Sequence, residues 1–305
     1  MIWPRTGAVA AGADRAVVRL ASGEYLAIDT GTVDAINYLI GRPVEPHIGF
    51  VFRCFLHPEA VVLDIGANFG LYTAITAGVI RTRGRLFAFE PNPHTFGFLL
   101  RTLHANGIVN NPNITLVNKA VGRSCARTEL HVIDQNLAVA SLTDPRLLGA
   151  GIVEEWGMKL GKVDVDMTTI DAYLPPELAV DLVKIDVEGH EPYVLMGMEA
   201  TIRRSPNIHI VLEYIDELLQ HTLAAAEFAP YIRGLGLEIC VIRKDWRLEL
   251  APPDAPLPGN SYLLLTRTPE ADIRTVARRR RSPRRALKRV LQHAAIGLGE
   301  LSHRL

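Results

Sequence analysis

At 305 residues, 48% of them hydrophobic and 22% charged, the chain can hold one large α/β domain or two small ones, and most of it should be globular. Its 33 basic and 33 acidic side chains cancel, but ten of the basic ones lie in residues 274–305 against Glu300 alone. Residues 1–273 therefore carry a net charge of −9, and an acidic body with a basic tail argues against a nucleic-acid partner.

Near the start there is only a short Ala/Gly/Val run, interrupted by Asp14 and Arg15, a poor match to a signal peptide. No apolar run approaches membrane-spanning length. Residues 16–30 read as a hairpin about Ser22-Gly23. Residues 33–57 read as mostly helical, with Ile36, Leu39 and Ile40, then Ile48, Val51, Phe52 and Phe55, at helical spacing. Together these make an N-terminal hairpin and helical cap over residues 1–58, with Glu45-Pro46 between the two helical pieces. From 59 to 268 strands and helices alternate, which implies a parallel sheet covered on both faces. Core strands are expected at 60–65, 85–89, 114–118, 181–187, 207–212, 237–242 and 261–266, with helices over 93–106, 191–203 and 216–234. The last two strands stand in hairpin order around the Pro-rich segment 251–259, so the seven-stranded sheet should be mixed. Residues 126–133 and 163–167 alternate like exposed antiparallel strands. Residues 134–160 between them look like an inserted loop, and long loops in compact domains tend to be lids or binding segments. Cys54, Cys125 and Cys240 form no C-x-x-C pair, which argues against a disulfide scaffold or structural zinc and suits a reducing cytoplasm.

The stretch Val61-Val62-Leu63-Asp64-Ile65 reads as a buried strand entering the turn Gly66-Ala67-Asn68-Phe69-Gly70 and then a helix. Glycines let such a turn approach a ligand closely, and free N–H groups at a helix start suit an anionic group. A nucleotide-like cofactor is expected there. The spacing is D-x-G-x-N-x-G, not the G-x-G-x-x-G of a dinucleotide turn. Glu90 ends the second strand 20 residues past Gly70, where a carboxylate can accept hydrogen bonds from both ribose hydroxyls. Asn118 and Ala120, at the end of the third strand, would neighbour the adenine ring. Asp186, Glu188, His190 and Glu191 crowd the end of the fourth strand, with Glu213 ending the fifth; this is too polar for ordinary core.

The turn resembles the first motif of class I S-adenosylmethionine methyltransferases, with Asn68 replacing the usual middle glycine. The resemblance narrows to the FkbM methyltransferase family through the stretch 62–70, Phe89-Glu90-Pro91-Asn92-Pro93 and Ala120-Val121-Gly122. It extends through Thr168-Thr169-Ile170-Asp171, Lys184-Ile185-Asp186-Val187-Glu188-Gly189-His190-Glu191 and Ile210-Val211-Leu212-Glu213. It implies a Rossmann-like, doubly wound, seven-stranded mixed sheet and methyl transfer from S-adenosylmethionine to a hydroxyl of a saccharide, glycolipid or polyketide-type natural product. Asp64, Gly66, Asn68, Gly70, Glu90, Asn92, Asn118, Ala120 and Asp186 are then expected at the cofactor. Glu45, Glu188, Glu213 and Trp156 are expected at the substrate or in the lid. An alcohol is a weak nucleophile, so a positioned base must take its proton. His190, whose free pKa lies near working pH, is the first choice, with Asp186 orienting it or acting as the base directly. Lys184 is expected to pair with a strand-end carboxylate. Asp186 and Glu213 could instead supply oxygen ligands to Mg²⁺, a less favoured use, since two carboxylates can simply receive substrate hydroxyls.

Residues 269–305 form a basic tail in which Leu287, Val290, Leu291, Ala294, Leu298 and Leu301 fall on one helical stripe. One reading is an interfacial helix giving a cytoplasmic enzyme a peripheral membrane contact. The favoured reading is a solvated tail, or a helix docked on the body or on the second copy of a homodimer, because Gly297 and Gly299 weaken any helix. Two other functions compete. The missing G-x-G-x-x-G speaks against a nicotinamide-dependent oxidoreductase, and the intact Asp64, Gly66, Glu90 and Asp186 against a non-catalytic glycan- or membrane-binding protein.

Overall fold

A computed structural model of the chain describes residues 7–10, 15–20, 22–41, 44–133, 136–142, 160–219 and 222–281. Its strands are β1 (Gly7–Ala10), β2 (Arg15–Arg19), β3 (Tyr25–Asp29), β4 (Val61–Ile65), β5 (Arg85–Phe89), β6 (Ile114–Val117), β7 (Ala120–Val121) and β8 (Ala126–Ile133). They continue as β9 (Asn136–Ser141), β10 (Leu160–Thr168), β11 (Leu182–Ile185), β12 (His209–Tyr214), β13 (Glu238–Ile242), β14 (Leu248–Leu250) and β15 (Ser261–Thr266).

The central sheet runs β14-β13-β15-β12-β11-β4-β5-β6. Strands β12, β11, β4, β5 and β6 pair in parallel, and β15 enters antiparallel between β12 and β13. This is the class I, Rossmann-like doubly wound order: the seven expected strands lie side by side, and β4, with β5 on one side and β11 on the other, is where the winding reverses. Ligands of such sheets bind outside the strand ends at that reversal. Both faces are covered because alternate strand residues bury on opposite sides. Leu63, Ile65, Val183, Ile185, Ile210 and Leu212 join one core, while Val62, Leu86, Leu182, Val211 and Leu264 join the other.

The sheet has an eighth strand that periodicity did not reveal. After β13 the chain turns at Trp246 (φ 71°), Arg243 donates its N–H to the Arg247 carbonyl, and the three residues of β14 pair back before the Pro-rich segment. The expected helix over 191–203 is two, Glu191–Met196 and Glu199–Arg204. The break is local: the Gly197 carbonyl accepts the Asp171 N–H at 3.0 Å, and a side chain at Gly197 would collide with the Gly122 carbonyl. The helix expected over 216–234 likewise divides into Asp216–Leu219 and Ala225–Gly234.

The N-terminal hairpin gains a third strand, β1, paired antiparallel to β2. This small sheet buries Leu26 and Ile28 with Phe98 of the helix Pro93–Ala105, and the Ala27 N–H donates to Thr102 Oγ1. The alternating segments form a separate sheet in the order β7-β10-β8-β9, with Leu130, Val132, Val165 and Ala120 as its core. Within the expected 134–160 insertion, residues 136–141 are β9 and Leu160 opens β10. Trp156 lies outside the described residues, and so does the apolar stripe of the tail. The helix Pro269–Arg281 buries Val276 beneath the sheet.

Candidate active site

The turn after β4 is tied to the end of β5. Gly66 (φ 80°) and Ala67 donate their N–H groups to the Phe89 carbonyl at 3.0 and 2.9 Å. Asn68 (φ 50°) donates its N–H to Glu90 Oε2, and Asn92 donates its own to Oε1, both at 2.9 Å. Glu90 is thus held by two backbone donors, with lone pairs on both oxygens still available. Burial pushes its carboxyl up to about 7, against the pull of those two hydrogen bonds. Gly70 (φ 93°) closes the turn at the start of the helix Leu71–Ile80.

Four residues expected at the cofactor, Gly70 and three whose side chains turn elsewhere, do not line the cleft. Asp64 alternates away from Ile65 onto the opposite face of β4, where Thr73 Oγ1 donates to its Oδ2 at 2.6 Å. It braces the helix, and burial pushes it up to about 6. Asn92 caps the next helix, its Oδ1 accepting the His94 N–H at 3.0 Å. Asn118 donates through Nδ2 to the carbonyls of Glu90 and Pro91 at 2.8 and 3.0 Å, holding the ends of β5 and β6 together. Gly66, Asn68, Glu90 and Ala120 do line it.

Across the reversal the cleft becomes acidic. Lys184 of β11 is 1% exposed, and its Nζ lies 2.7 Å from Asp186 Oδ2 and 5.2 and 5.0 Å from the rings of Tyr72 and Tyr262. Burial alone would pull this amine down, but the charges of Asp186 and then Glu45 outweigh it and raise the pKa, keeping it an ammonium. Asp186, Glu188 and Glu213 present oxygens within 4.8 Å of one another. Burial and the charges of Asp186 and Glu188 push Glu213 up to about 11, so it is a neutral carboxyl at pH 7. Glu191, by contrast, holds the loop: its carboxylate accepts the N–H groups of Val187 and Gly189.

His190 lines the cleft but differs from the expected base. It is 9% exposed, its Nε2 is buried without a partner, and its ring packs edge-on against Tyr193. Burial, helped by Arg123, lowers its pKa to about 4, so it is neutral at pH 7 and a weak base. Glu45 (φ 44°) lines the cleft near Lys184 and Tyr262. Two further cleft residues escaped sequence reasoning. Tyr72 is the second residue of the helix after the turn. Tyr262 stands opposite Glu213 across β12 and β15, its hydroxyl 3.4 Å from Asp186 Oδ2. The only available signal was the position of each aromatic at the first residues of an element.

Residues 64–231, more than half of the chain, match the family described as the Methyltransferase FkbM domain. The chain belongs to the FkbM methyltransferase family. Methyltransferase 1 of Beauveria bassiana is similar to this FkbM chain, at 22% identity over 243 residues, covering 72% of this chain and 86% of the relative. Hexuronic acid methyltransferase AglP of Haloferax volcanii is 28% identical over 154 residues, covering 50% of this chain and 55% of its own length. A crystal structure of methyltransferase FkbM from Methylobacillus flagellatus KT aligns at 18% identity and a TM-score of 0.47. The alignment covers 72% of this chain and 48% of that one, so this chain spans about half of the length of the latter two relatives. No described helix is long and apolar enough to cross a membrane.

Proposed function

We propose that this FkbM methyltransferase moves the methyl group of S-adenosylmethionine to a hydroxyl of a saccharide, glycolipid or related natural product. The observation that carries the donor reading is Glu90, pinned by two backbone N–H groups beside the glycine turn and facing the cleft. Its remaining lone pairs suit the two adjacent hydroxyls of a ribose. Asn68 Oδ1 is a buried acceptor without a protein partner, which suits an ammonium such as that of the donor's amino-acid part. When bound, the sulfonium supplies an electrophilic methyl group and leaves as a thioether.

The protein's part is to hold the acceptor oxygen in line, exclude water and take one proton. Asp186 is the base in this reading, because it stands at the reversal with its orientation set by Lys184 and Tyr262. The hydroxyl proton passes to Asp186 as the oxygen–methyl bond forms. A divalent cation is not assigned: Asp186, Glu188 and Glu213 are close enough to ligate one, but the Lys184 ammonium already occupies the cationic place beside Asp186. The AglP relative, named for a hexuronic acid, supports a sugar acceptor. The free cysteines Cys54, Cys125 and Cys240 support a reducing cytoplasm.

The test is calorimetric titration of the purified protein with S-adenosylmethionine and, separately, NAD. It is followed by mass spectrometry of glycans and lipids from wild-type and deletion strains. Binding of the first ligand only, with loss of one methylene mass in the deletion strain, is expected. Binding of NAD only would overturn the reading.

A further inference from the structure

Given the methyl-transfer reading above, the reacting hydroxyl of the acceptor comes to Asp186, so the groups around Asp186 bear on how the acceptor is held. Two tyrosines enclose the Lys184 ammonium that pairs with Asp186, their ring centroids 5.2 Å (Tyr72) and 5.0 Å (Tyr262) from Nζ. They reach it from different parts of the chain, the helix Leu71–Ile80 and the strand β15. Their hydroxyls differ. Tyr262 places its own 3.4 Å from Asp186 Oδ2 and is hydrogen-bonded to Glu45 as well. Tyr72 lines the cleft and is 8% exposed, yet its hydroxyl is closed to water and has no partner.

The packing of the Tyr72 ring does not need that hydroxyl. The ring meets Phe52 edge-on at 5.0 Å and lies over Lys184, contacts that a phenylalanine would make equally well. A buried hydroxyl without a hydrogen bond is a cost to the free protein, and buried tyrosine hydroxyls ordinarily have partners. An oxygen arriving in the cleft removes that cost. The hydroxyl remains a donor at pH 7, because burial, and after it the charges of Glu45 and Asp186, raise its pKa. Those neighbours also place it on the Asp186 side of the cleft, whereas Glu90, at the ribose end, is tied to Asn68 and Asn92.

We propose that Tyr72 positions the acceptor: its hydroxyl donates a hydrogen bond to an acceptor oxygen next to the one that Asp186 deprotonates. A saccharide suits this pair of contacts, because its hydroxyls stand on neighbouring ring carbons, so that one meets Asp186 while the next meets Tyr72. Two contacts fix the rotation of the ring as well as its place, which brings one chosen oxygen into line with the methyl group.

The test uses full-length wild-type protein and Tyr72→Phe, each saturated with S-adenosylhomocysteine. Both are titrated with methyl glucoside, methyl galactoside and methyl mannoside, followed by saturation-transfer NMR. The sugar that binds wild type best should bind Tyr72→Phe several-fold more weakly, the worth of one hydrogen bond. Calorimetry should find S-adenosylhomocysteine affinity unchanged. The urea midpoint of the ligand-free protein should be unchanged or higher, since only an unpartnered group is lost. Unchanged sugar binding overturns the proposal. So does weaker S-adenosylhomocysteine binding, which would give the hydroxyl to the donor, or a lowered urea midpoint, which would make it structural. Binding of none of the three sugars to wild type while S-adenosylhomocysteine binds also overturns it, and leaves the donor reading standing. Failure of wild type to bind S-adenosylhomocysteine would instead remove the methyl-transfer reading itself.

Discussion

Gly66 crosses Asp186 so closely that a single methyl group should open the site. A Cβ at Gly66 would lie 1.8 Å from the Asp186 carbonyl oxygen and 2.9 Å from its carbon, where real Cβ atoms essentially never approach below 3.0 Å. The ends of β4 and β11 would therefore have to part by more than an ångström. At φ 80° a residue with a side chain adds about 1–2 kcal/mol of backbone strain. Parting the strands stretches the hydrogen bonds from Asp186 N to Ile65 O and from Gly66 N to Phe89 O, each now 3.0 Å. Each such bond is worth about 1 kcal/mol. Gly66→Ala should thus cost about 3–4 kcal/mol, a large share of the roughly 5–15 kcal/mol that holds a domain together. Urea unfolding followed by circular dichroism measures the loss, and calorimetry with S-adenosylhomocysteine measures the damage to the cleft. Gly78→Ala is the control, because Gly78 sits exposed on the helix Leu71–Ile80 with nothing within 4 Å of its added Cβ. That change should stabilise by up to about 1 kcal/mol. A loss below about 1 kcal/mol for Gly66→Ala, with ligand affinity unchanged, would refute the reasoning.

Glu90→Gln should weaken S-adenosylmethionine binding about 10- to 100-fold, the worth of a charge-assisted hydrogen bond. The same variant has a pH signature. The folded Glu90 carboxyl is raised to about 7 from 4.5, so its contribution is fully present below about 4.5 and is lost as pH rises through about 7. Wild type should lose stability relative to Glu90→Gln across that window, and a flat difference in urea midpoints would contradict the assignment. Asp186→Asn should slow methyl transfer about 10²- to 10⁴-fold with donor affinity little changed, and His190→Ala should slow it less. A larger loss in His190→Ala, read from initial rates, would return the proton to the imidazole. Prolonged dialysis against EDTA should leave the rate unchanged, and loss restored by Mg²⁺ would make the cluster of Asp186, Glu188 and Glu213 a metal centre.

Much of this molecule was legible locally. The run from Val61 to Gly70 announces a buried strand, a turn needing positive φ and a helix, and Glu90 follows at the spacing of a second strand. Those features depend on residues close in sequence, where periodicity and glycine geometry act directly. Strand alternation even contained the sign that Asp64, next to cleft-facing Ile65, must turn the other way. Lys184 was expected to pair with a strand-end carboxylate and does so with Asp186, but its aromatic partners were not legible in that way. Tyr72 approaches it from the helix after the turn, and Tyr262 comes from the last core strand because β15 inserts antiparallel beside β12, opposite Glu213. The neutral Glu213 and the weakened His190 likewise follow from burial that no single segment encodes. Local pattern determined most of the core strands and where the glycine turn lies. Only the order and register of the sheet decided which charges face one another, because desolvation and Coulomb interactions depend on distances that only the assembled fold defines.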